Sequence, residues 1–316
     1  MTANSHGPAR LAAVVINPVK SPGNGFRAEF QALCREEGWA EPLWLETTED
    51  DPGAWQARQA LESGADVVIA AGGDGTVRCV AEVLAGTGTA MGLIPLGTGN
   101  LLARNLGIGV ADPIGAARDV LAGADIAVDA VKAHLDHAED GQLFLVMAGL
   151  GYDAAIMANT VDGLKDRVGW LAYVEAGIRH LPGRPVRARI RIDGGPEVRR
   201  RIRSVLVGNC GQLMGGVEIF PQARVDDGVL DLVALSPRGR FGWFNVVAGL
   251  FGRNQDKNRS VEYLAGKSAE IILDDPQEFQ LDGDHFGSGK HLLVTVVPGA
   301  LTIRTSASRA EAGVLG

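Results

Sequence analysis

The sequence predicts an α/β N-terminal domain with a parallel sheet and helices, followed by a β-rich second domain. Three observations lead there. The chain has 316 residues, enough for two domains at roughly 150 residues each. From Leu11 to about residue 125, short aliphatic runs alternate with helical patterns, as in a parallel sheet covered by helices. Beyond that point most segments read as strands bounded by turns. The expected division is 1–125 for the first domain, 126–297 for the second, and a C-terminal segment, 298–316, that packs back on the first.

Leu11–Ile16 is nearly all aliphatic and stops at Asn17-Pro18, a turn signal, so it reads as a buried strand. Phe26, Phe30, Leu33 and Cys34 recur at helical spacing, and Gly38 is placed to end that helix. A strand at Pro42–Glu46 follows, then a helix at Ala54–Leu61, a strand at Asp66–Ala71 and a helix at Val77–Leu84. The first domain closes with a strand at Ala90–Ile94 and a helix at Leu101–Leu106. Ligands in such sheets bind beyond the carboxyl ends of the strands, which directs attention to the loops starting at Asn17, Gly72 and Pro95. In the second domain, strands are expected at Ile126–Val131, Leu143–Ala148, Val186–Ile192, Ile202–Val207, Val229–Leu235, Ile271–Leu273, Phe279–Leu281 and Leu292–Val297. Helices are expected at Leu164–Leu181 and Phe241–Leu250.

A composition of 46% hydrophobic and 22% charged residues is that of a globular protein, neither disordered nor fibrous. The 43 glycines are the anomaly: they imply many places where the backbone turns sharply or lies against a ligand. A net charge of −8 argues against a nucleic-acid partner. Cys34, Cys79 and Cys210 form no CxxC pair, which suits a reducing compartment and disfavours a disulfide framework or zinc knuckle. With no apolar run near the roughly 18 residues a membrane span needs, the expected location is cytoplasmic.

Gly72-Gly73-Asp74-Gly75-Thr76 follows a strand and opens a helix. Its glycines let backbone N–H groups crowd against a polyphosphate, the helix N-terminus favours negative charge, and Asp74 can bind magnesium directly or through water. Gly-Gly-Asp-Gly is also a plain turn, but its place at a strand's carboxyl end favours the phosphate loop. Pro95-Leu96-Gly97-Thr98-Gly99-Asn100 lies the same way between Ala90–Ile94 and Leu101–Leu106. Two such loops at adjacent strand ends would enclose one nucleotide, in a cleft between the domains. A Rossmann GxGxxG does not fit, and Gly266-Lys267-Ser268 is no P-loop because Val261 stands where the earlier glycine belongs. The histidines form no HxxxH, and Gly287-Ser288-Gly289 lacks the flanks of a nucleophile elbow.

GGDGT followed by PLGTGN resembles the diacylglycerol kinase catalytic domain, the fold shared by bacterial lipid kinases and sphingosine kinases. NAD kinases and phosphofructokinases use a similar GGDG loop; PLGTGN points to the lipid kinases. Asn17-Pro18 with Lys20 and Gly23 is similar to the family's opening NPxSG in a longer version. Gly149-Leu150-Gly151-Tyr152-Asp153-Ala154, with Lys165, Gly169 and Tyr173, resembles the family's G-x-G-[FY]-D-A and its later basic position. Asn209, Gly215-Gly216, Pro221, Asp226-Asp227-Gly228 and Leu230-Asp231 resemble the second-domain signature, and Leu281-Asp282-Gly283-Asp284 the catalytic DGE.

The resemblance implies an ATP- and Mg2+-dependent kinase for a lipid alcohol, diacylglycerol-like or sphingoid-like. It implies that Asn17, Pro18, Lys20, Thr47, Gly72, Gly73, Asp74, Gly75, Thr76, Thr98, Asn100 and Lys165 serve ATP. Asp227, with backbone carbonyls near Arg224 and Val229, would hold a structural magnesium. Asp282 would be the general base, with Asp284 the other catalytic carboxylate. Two departures stand out: Leu101 follows Asn100 where the family often has Asp, and Asp284 replaces Glu, so the roles of Asp282 and Asp284 stay open.

Phosphoryl transfer needs positioned phosphates, neutralised charge and a base for the attacking hydroxyl, and the sequence has candidates for each. Each also has a plainer reading. Asp282-Gly283 and Asp226-Asp227-Gly228 are hairpin-turn dipeptides as they stand, and Lys20 and Lys165 are surface lysines as readily as phosphate ligands. A soluble-substrate kinase of the NAD kinase type and a non-catalytic nucleotide sensor remain as alternatives. Between Val186 and Val207, Arg187, Arg189 and Arg191 alternate with apolar residues, and Arg199, Arg201 and Arg203 repeat the spacing. In-register pairing would put six arginines on one face, either balanced by nearby carboxylates or open to an anionic membrane at the inner leaflet. A second copy of the chain is a further candidate partner.

Overall fold

The computed structural model describes residues 9–23, 25–150, 185–212, 218–236 and 261–312. They fall into two compact units: Met1–Val128 with Gly299–Leu315, and Asp129–Pro298. The expected helices at Leu164–Leu181 and Phe241–Leu250 lie outside the described residues, as does Lys165.

In the first unit β1 (Ala12–Ile16), β2 (Leu43–Glu46), β3 (Val67–Gly72) and β4 (Ala90–Pro95) form a parallel sheet in the order β4-β3-β1-β2. Every residue of β1, β3 and β4 is buried, as continuous aliphatic runs covered on both faces require. The chain returns at its far end: β14 (Asp284–Thr305) pairs its Thr302–Arg304 in parallel with Ala90–Gly92. Arg304 holds Asp125 through two bonds of 2.6 and 2.8 Å, and Arg309 holds Asp119 at 2.8 Å. Arg309 lies on the short helix Ala307–Ala312.

Helix α1 (Phe26–Glu36) buries Phe26, Phe30, Leu33 and Cys34, the predicted stripe, and Gly38 beyond it has φ 72°. Helices α2 (Ala54–Glu62), α3 (Asp74–Leu84) and α4 (Leu101–Asn105) follow the other expected positions. Helix α5 (Pro113–Ala122) is an addition to the sequence reading. Its start is marked by Asp112, whose Oδ1 accepts the Gly115 N–H at 2.8 Å, and by Pro113 in the first turn. It lies against β4 where Gly92 has no side chain: a Cβ there would sit 2.6 Å from Val120 Cγ1.

The second unit is antiparallel. β5 (Ala124–Leu135) enters it and pairs with β6 (Gln142–Phe144). β7 (Met147–Leu150), β10 (Ser204–Gly208), β11 (Leu230–Leu235), β12 (Val261–Gly266), β13 (Ser268–Leu281) and β14 take the order β12-β11-β10-β7-β13-β14. β8 (Val186–Ile192) pairs with β13 on one side and β9 (Val198–Ile202) on the other. Alternate residues such as Val186, Ala188, Ile190, Leu232, Ile271 and Leu292 fill its core.

Several strands differ from expectation for local reasons. Leu143–Ala148 splits into β6 and β7 because the N–H groups of Leu145, Val146 and Met147 leave the ladder for the Asp282 carboxylate. Ile271–Leu273 and Phe279–Leu281 are one strand with a register shift between Ile272 and Gln277, where Pro276 has no N–H to donate. Ile202–Val207 is divided at Arg203, whose N–H turns to the Leu235 carbonyl at 2.9 Å. That turn corrects the six-arginine face. Arg187 opposes Arg201 and Arg189 opposes Arg199, with Arg191 on the same face, whereas Arg203 lies past the end of β9.

Candidate functional site

The parallel register aligns the strand ends in the first unit: Ile16 stands beside Glu46 and Ala71, and Gly72 beside Pro95. Four loops therefore leave one edge together, carrying Asn17, Thr47, the Gly72–Thr76 run and the Pro95–Asn100 run. The Asn17 N–H reaches the Ala71 carbonyl at 3.0 Å, and the Thr47 N–H the Ile16 carbonyl at 2.9 Å. Asn17 Oδ1 accepts the Val19 N–H at 3.0 Å and starts a 3-10 turn, Pro18–Lys20.

The two glycine runs touch backbone to backbone. The Leu96 N–H donates to the Gly72 carbonyl at 2.9 Å. A Cβ on Gly97 would lie 2.5 Å from Gly73 Cα, closer than any side chain can come. Asn100 braces the second run, accepting the Gly97 N–H at 2.9 Å and donating to the Gly97 carbonyl at 2.6 Å, with φ 49° in the left-handed region.

Asp74 fastens one run to the other. Its Oδ2 accepts the Asn100 N–H at 2.9 Å and its Oδ1 the Leu101 N–H at 2.6 Å. Burial pushes its carboxyl up, while those two hydrogen bonds and the Lys20 charge pull it down. The sequence reading places Asp74 with the nucleotide and as able to meet magnesium directly or through water; in the fold both of its oxygens also accept N–H groups of the second loop. Lys20 comes to the same place, since its Nζ lies 2.8 Å from the position a Gly73 Cβ would take. The first helical bond of α3 runs from the Val77 N–H to the Gly73 carbonyl, so the N–H groups of Gly75 and Thr76 have no acceptor in the helix. Those donors, a nearby ammonium and a floor of glycine suit a polyphosphate. Thr98 is exposed beside them, and Thr47 is buried.

In the second unit, Asp282 and Gly283 are the two residues of a tight turn with φ 49° and 92°, closing the Leu281–Asp284 pair. Asp282 as a whole is 8% exposed. Its Oδ1 accepts the N–H groups of Val146 and Met147, both at 2.9 Å, and its Oδ2 that of Leu145 at 2.8 Å. The carbonyl side of the same loop belongs to Asn209: its Nδ2 donates to Leu145 at 2.9 Å and to Asp129 at 3.0 Å, and its N–H to Val146 at 2.9 Å. Asp284, one residue past the turn, is exposed.

Asp129 carries the network further, with its Oδ2 accepting the Gly228 N–H at 2.6 Å and its own N–H reaching the Val225 carbonyl at 2.7 Å. Sequence reasoning passed over Asp129. The signal was there: one carboxylate in the apolar strand Ile126–Val131, 2% exposed in the fold. Asp227 Oδ1 accepts the Val229 N–H at 2.9 Å, and Arg224 pairs with Asp226 at 3.2 Å. Burial raises the Asp227 pKa, the Val229 N–H lowers it, and Asp129 and Asp226 raise it further. Burial and then Asp227 lift Asp231 to about 6. Among the described residues no group of three or more His, Cys, Asp or Glu side chains is disposed around a metal position. What the turn offers is the Asp227 carboxylate beside the Val229 main chain, with Asp129 and Asp226 near enough to act on its charge. That donor set fits magnesium, a hard cation that keeps several waters.

Comparison with known proteins places these features in context. Residues 12–133 match the model of the diacylglycerol kinase catalytic domain, and residues 146–305 that of the YegS C-terminal NAD kinase beta sandwich-like domain. A probable lipid kinase YegS-like from Pseudomonas aeruginosa is 34% identical over 91% of this chain and 92% of its own. Another so named, from Cronobacter sakazakii, is 30% identical over 90% of this chain and 93% of its own. Among solved structures, a diacylglycerol kinase-like protein of Bacillus anthracis superposes with a TM-score of 0.72 at 20% identity, covering 98% of this chain and 99% of that one. An Archaeoglobus fulgidus NAD kinase solved with ATP superposes with a TM-score of 0.53 at 15% identity, covering 97% of this chain and 100% of that one.

Proposed function

Because this chain belongs to the diacylglycerol kinase catalytic-domain family, we propose that it is an ATP-dependent lipid kinase that phosphorylates a lipid hydroxyl, diacylglycerol-like or sphingoid-like. The observation that carries the reading is the paired glycine loop: Gly73 against Gly97, locked by Asp74 and overlain by Lys20.

Bound ATP supplies the phosphoryl group, and magnesium the neutralising charge, in a reaction where positioning and electrostatics do most of the catalysis. The N–H groups of Gly75 and Thr76 bind phosphate oxygens, and Lys20 supplies positive charge beside them. Asn17, Thr47, Thr98 and Asn100 shape the rest of the nucleotide site. Asp227 with the carbonyls of Arg224 and Val229 would hold magnesium. Of the two turn carboxylates, Asp284 takes the proton of the attacking hydroxyl, because the Asp282 oxygens are committed to three main-chain donors. Asp282 is the residue that shapes the Leu145–Met147 loop.

A second reading, phosphorylation of a soluble acceptor of the NAD kinase type, is favoured by the fold likeness alone. Turnover with labelled ATP, offering lipid alcohols and NAD in parallel, tests both. Label in lipid supports the proposal, label in NAD supports the second reading, and ATP binding without transfer to either makes the chain a nucleotide sensor.

A further inference from the structure

On the β8–β9 hairpin Arg187 stands directly opposite Arg201, and Arg189 opposite Arg199. Like charges so placed weaken a ladder, so the arrangement costs stability unless an anion meets it. Among the described residues, carboxylates bond these arginines at one end of the face only, while Asp274 shares the concavity at the other end without an ion pair to them. Glu197 takes Arg199 at 2.7 Å and Arg191 at 3.1 Å, and Glu270 takes Arg191 at 3.0 Å. At the other end, Arg187 and Arg201 make no hydrogen bond or ion pair with a described residue, and Arg189 acts on Glu197 only through space. Arg187, Arg189, Arg199 and Arg201 are all exposed, and with Arg200, Ala188 and Asp274 they line an open concavity of about 600 Å3.

We propose that this hairpin face docks on the surface of an anionic bilayer, with Arg187, Arg189 and Arg201 meeting acidic phospholipid headgroups. The proposal rests on the lipid-kinase reading in one respect: an acceptor with acyl chains resides in a membrane, and the enzyme must work at its surface. The occupant follows from charge complementarity. Several guanidinium groups on one open face suit a field of phosphates, while the net charge of −8 keeps other anionic polymers away from the rest of the chain.

The test is vesicle co-sedimentation of the full chain, using phosphatidylcholine with and without phosphatidylglycerol, at low and high salt. Wild type is compared with a triple variant, Arg187→Gln, Arg189→Gln and Arg201→Gln. A charge-matched control changes the exposed Arg35, Arg58 and Arg118 to Gln. The wild type and the control should bind phosphatidylglycerol vesicles and be released by salt. The triple variant should bind on the order of 100-fold more weakly, the equivalent of about 1 kcal/mol for each arginine. Turnover of detergent-dispersed lipid should be the same for all three, and it reads the kinase activity separately. Active enzyme with no preference for anionic vesicles overturns the docking and spares the kinase. Arginine-dependent vesicle binding without lipid turnover spares the docking and overturns the kinase. Displacement of bound wild type by micromolar-range inorganic phosphate, or equal loss in the control, also overturns it, in favour of a free-anion site or bulk charge respectively.

Discussion

The carboxylate of Asp74 accepts the N–H of Leu101 at 2.6 Å, so the first residue of one helix caps the start of another. A second bond to Asn100 at 2.9 Å makes the link bidentate. Asp74→Ala should therefore loosen both glycine loops at once. We expect a loss of about 1–2 kcal/mol of stability, as for a lost helix cap, together with weaker ATP binding and slower turnover. Calorimetric ATP titration and a thermal melt check this; full ATP affinity in the variant would refute the coupling.

Gly97→Ala tests the same contact from the backbone side. The added methyl would meet Gly73 Cα at 2.5 Å, and main chain cannot swing aside as a side chain can. Overpacking of this kind costs typically about 1–3 kcal/mol. The KM for ATP should rise, while Gly109→Ala, where nothing lies within 4 Å of the added Cβ, leaves it unchanged.

Asp282→Asn and Asp284→Asn should separate structure from chemistry. In the first, an amide NH2 faces main-chain donors, so thermal stability should drop by about 1–3 kcal/mol. In the second, stability should hold while turnover falls by roughly 10²–10⁴ with ATP affinity near wild type. A stable Asp282→Asn protein without turnover, beside a fully active Asp284→Asn, would reverse the two roles.

The paired-loop fold was largely legible in the sequence. Aliphatic runs ending at Asn17-Pro18, Gly72 and Pro95 placed the strand ends where the loops gather, because period and turn chemistry are local properties. What stayed hidden depends on partners distant in the chain. Nothing around Asp74 announces that its hydrogen bonds go to Asn100 and Leu101, and nothing around Leu145 announces that Asp282 will take its N–H and break a strand. Helix α5 carries a local start signal in Asp112-Pro113, but Gly115 in its first turn is a poor helix former and weakens the pattern. The arginine pattern was legible on β8, but Arg203 was misplaced because strand spacing alone does not show where β9 ends.

Asn209→Leu should remove the donor that serves both the Leu145 and Asp129 carbonyls. Two buried acceptors then lose a partner, at about 1–3 kcal/mol. A denaturant melt should shift accordingly. Because Asn209 acts through the loop it holds, turnover should fall while the KM for ATP stays near wild type.

Asp136 gives a pH-dependent prediction. Its Oδ1 accepts the N–H groups of Lys290 and His291, both at 2.8 Å, and these bonds first of all hold its pKa below the usual 3.8. A depressed carboxylate stabilises the fold above its unfolded pKa, and that contribution disappears as pH falls through the lower folded value. Asp136→Asn keeps an oxygen to accept the bonds but removes the charge. Its melting temperature should vary less than wild type between neutral pH and the acid range; an unchanged acid limb would show that the charge contributes nothing.

The most direct measurement of the central claim is transfer of labelled γ-phosphate by the purified full chain to a panel of lipid alcohols in detergent, with NAD as rival acceptor and magnesium present. The account predicts label in a lipid product, abolished by chelation and strongly reduced in Asp74→Ala and Asp284→Asn. Label in NAD alone, or none in any acceptor by a protein that binds ATP, would contradict it.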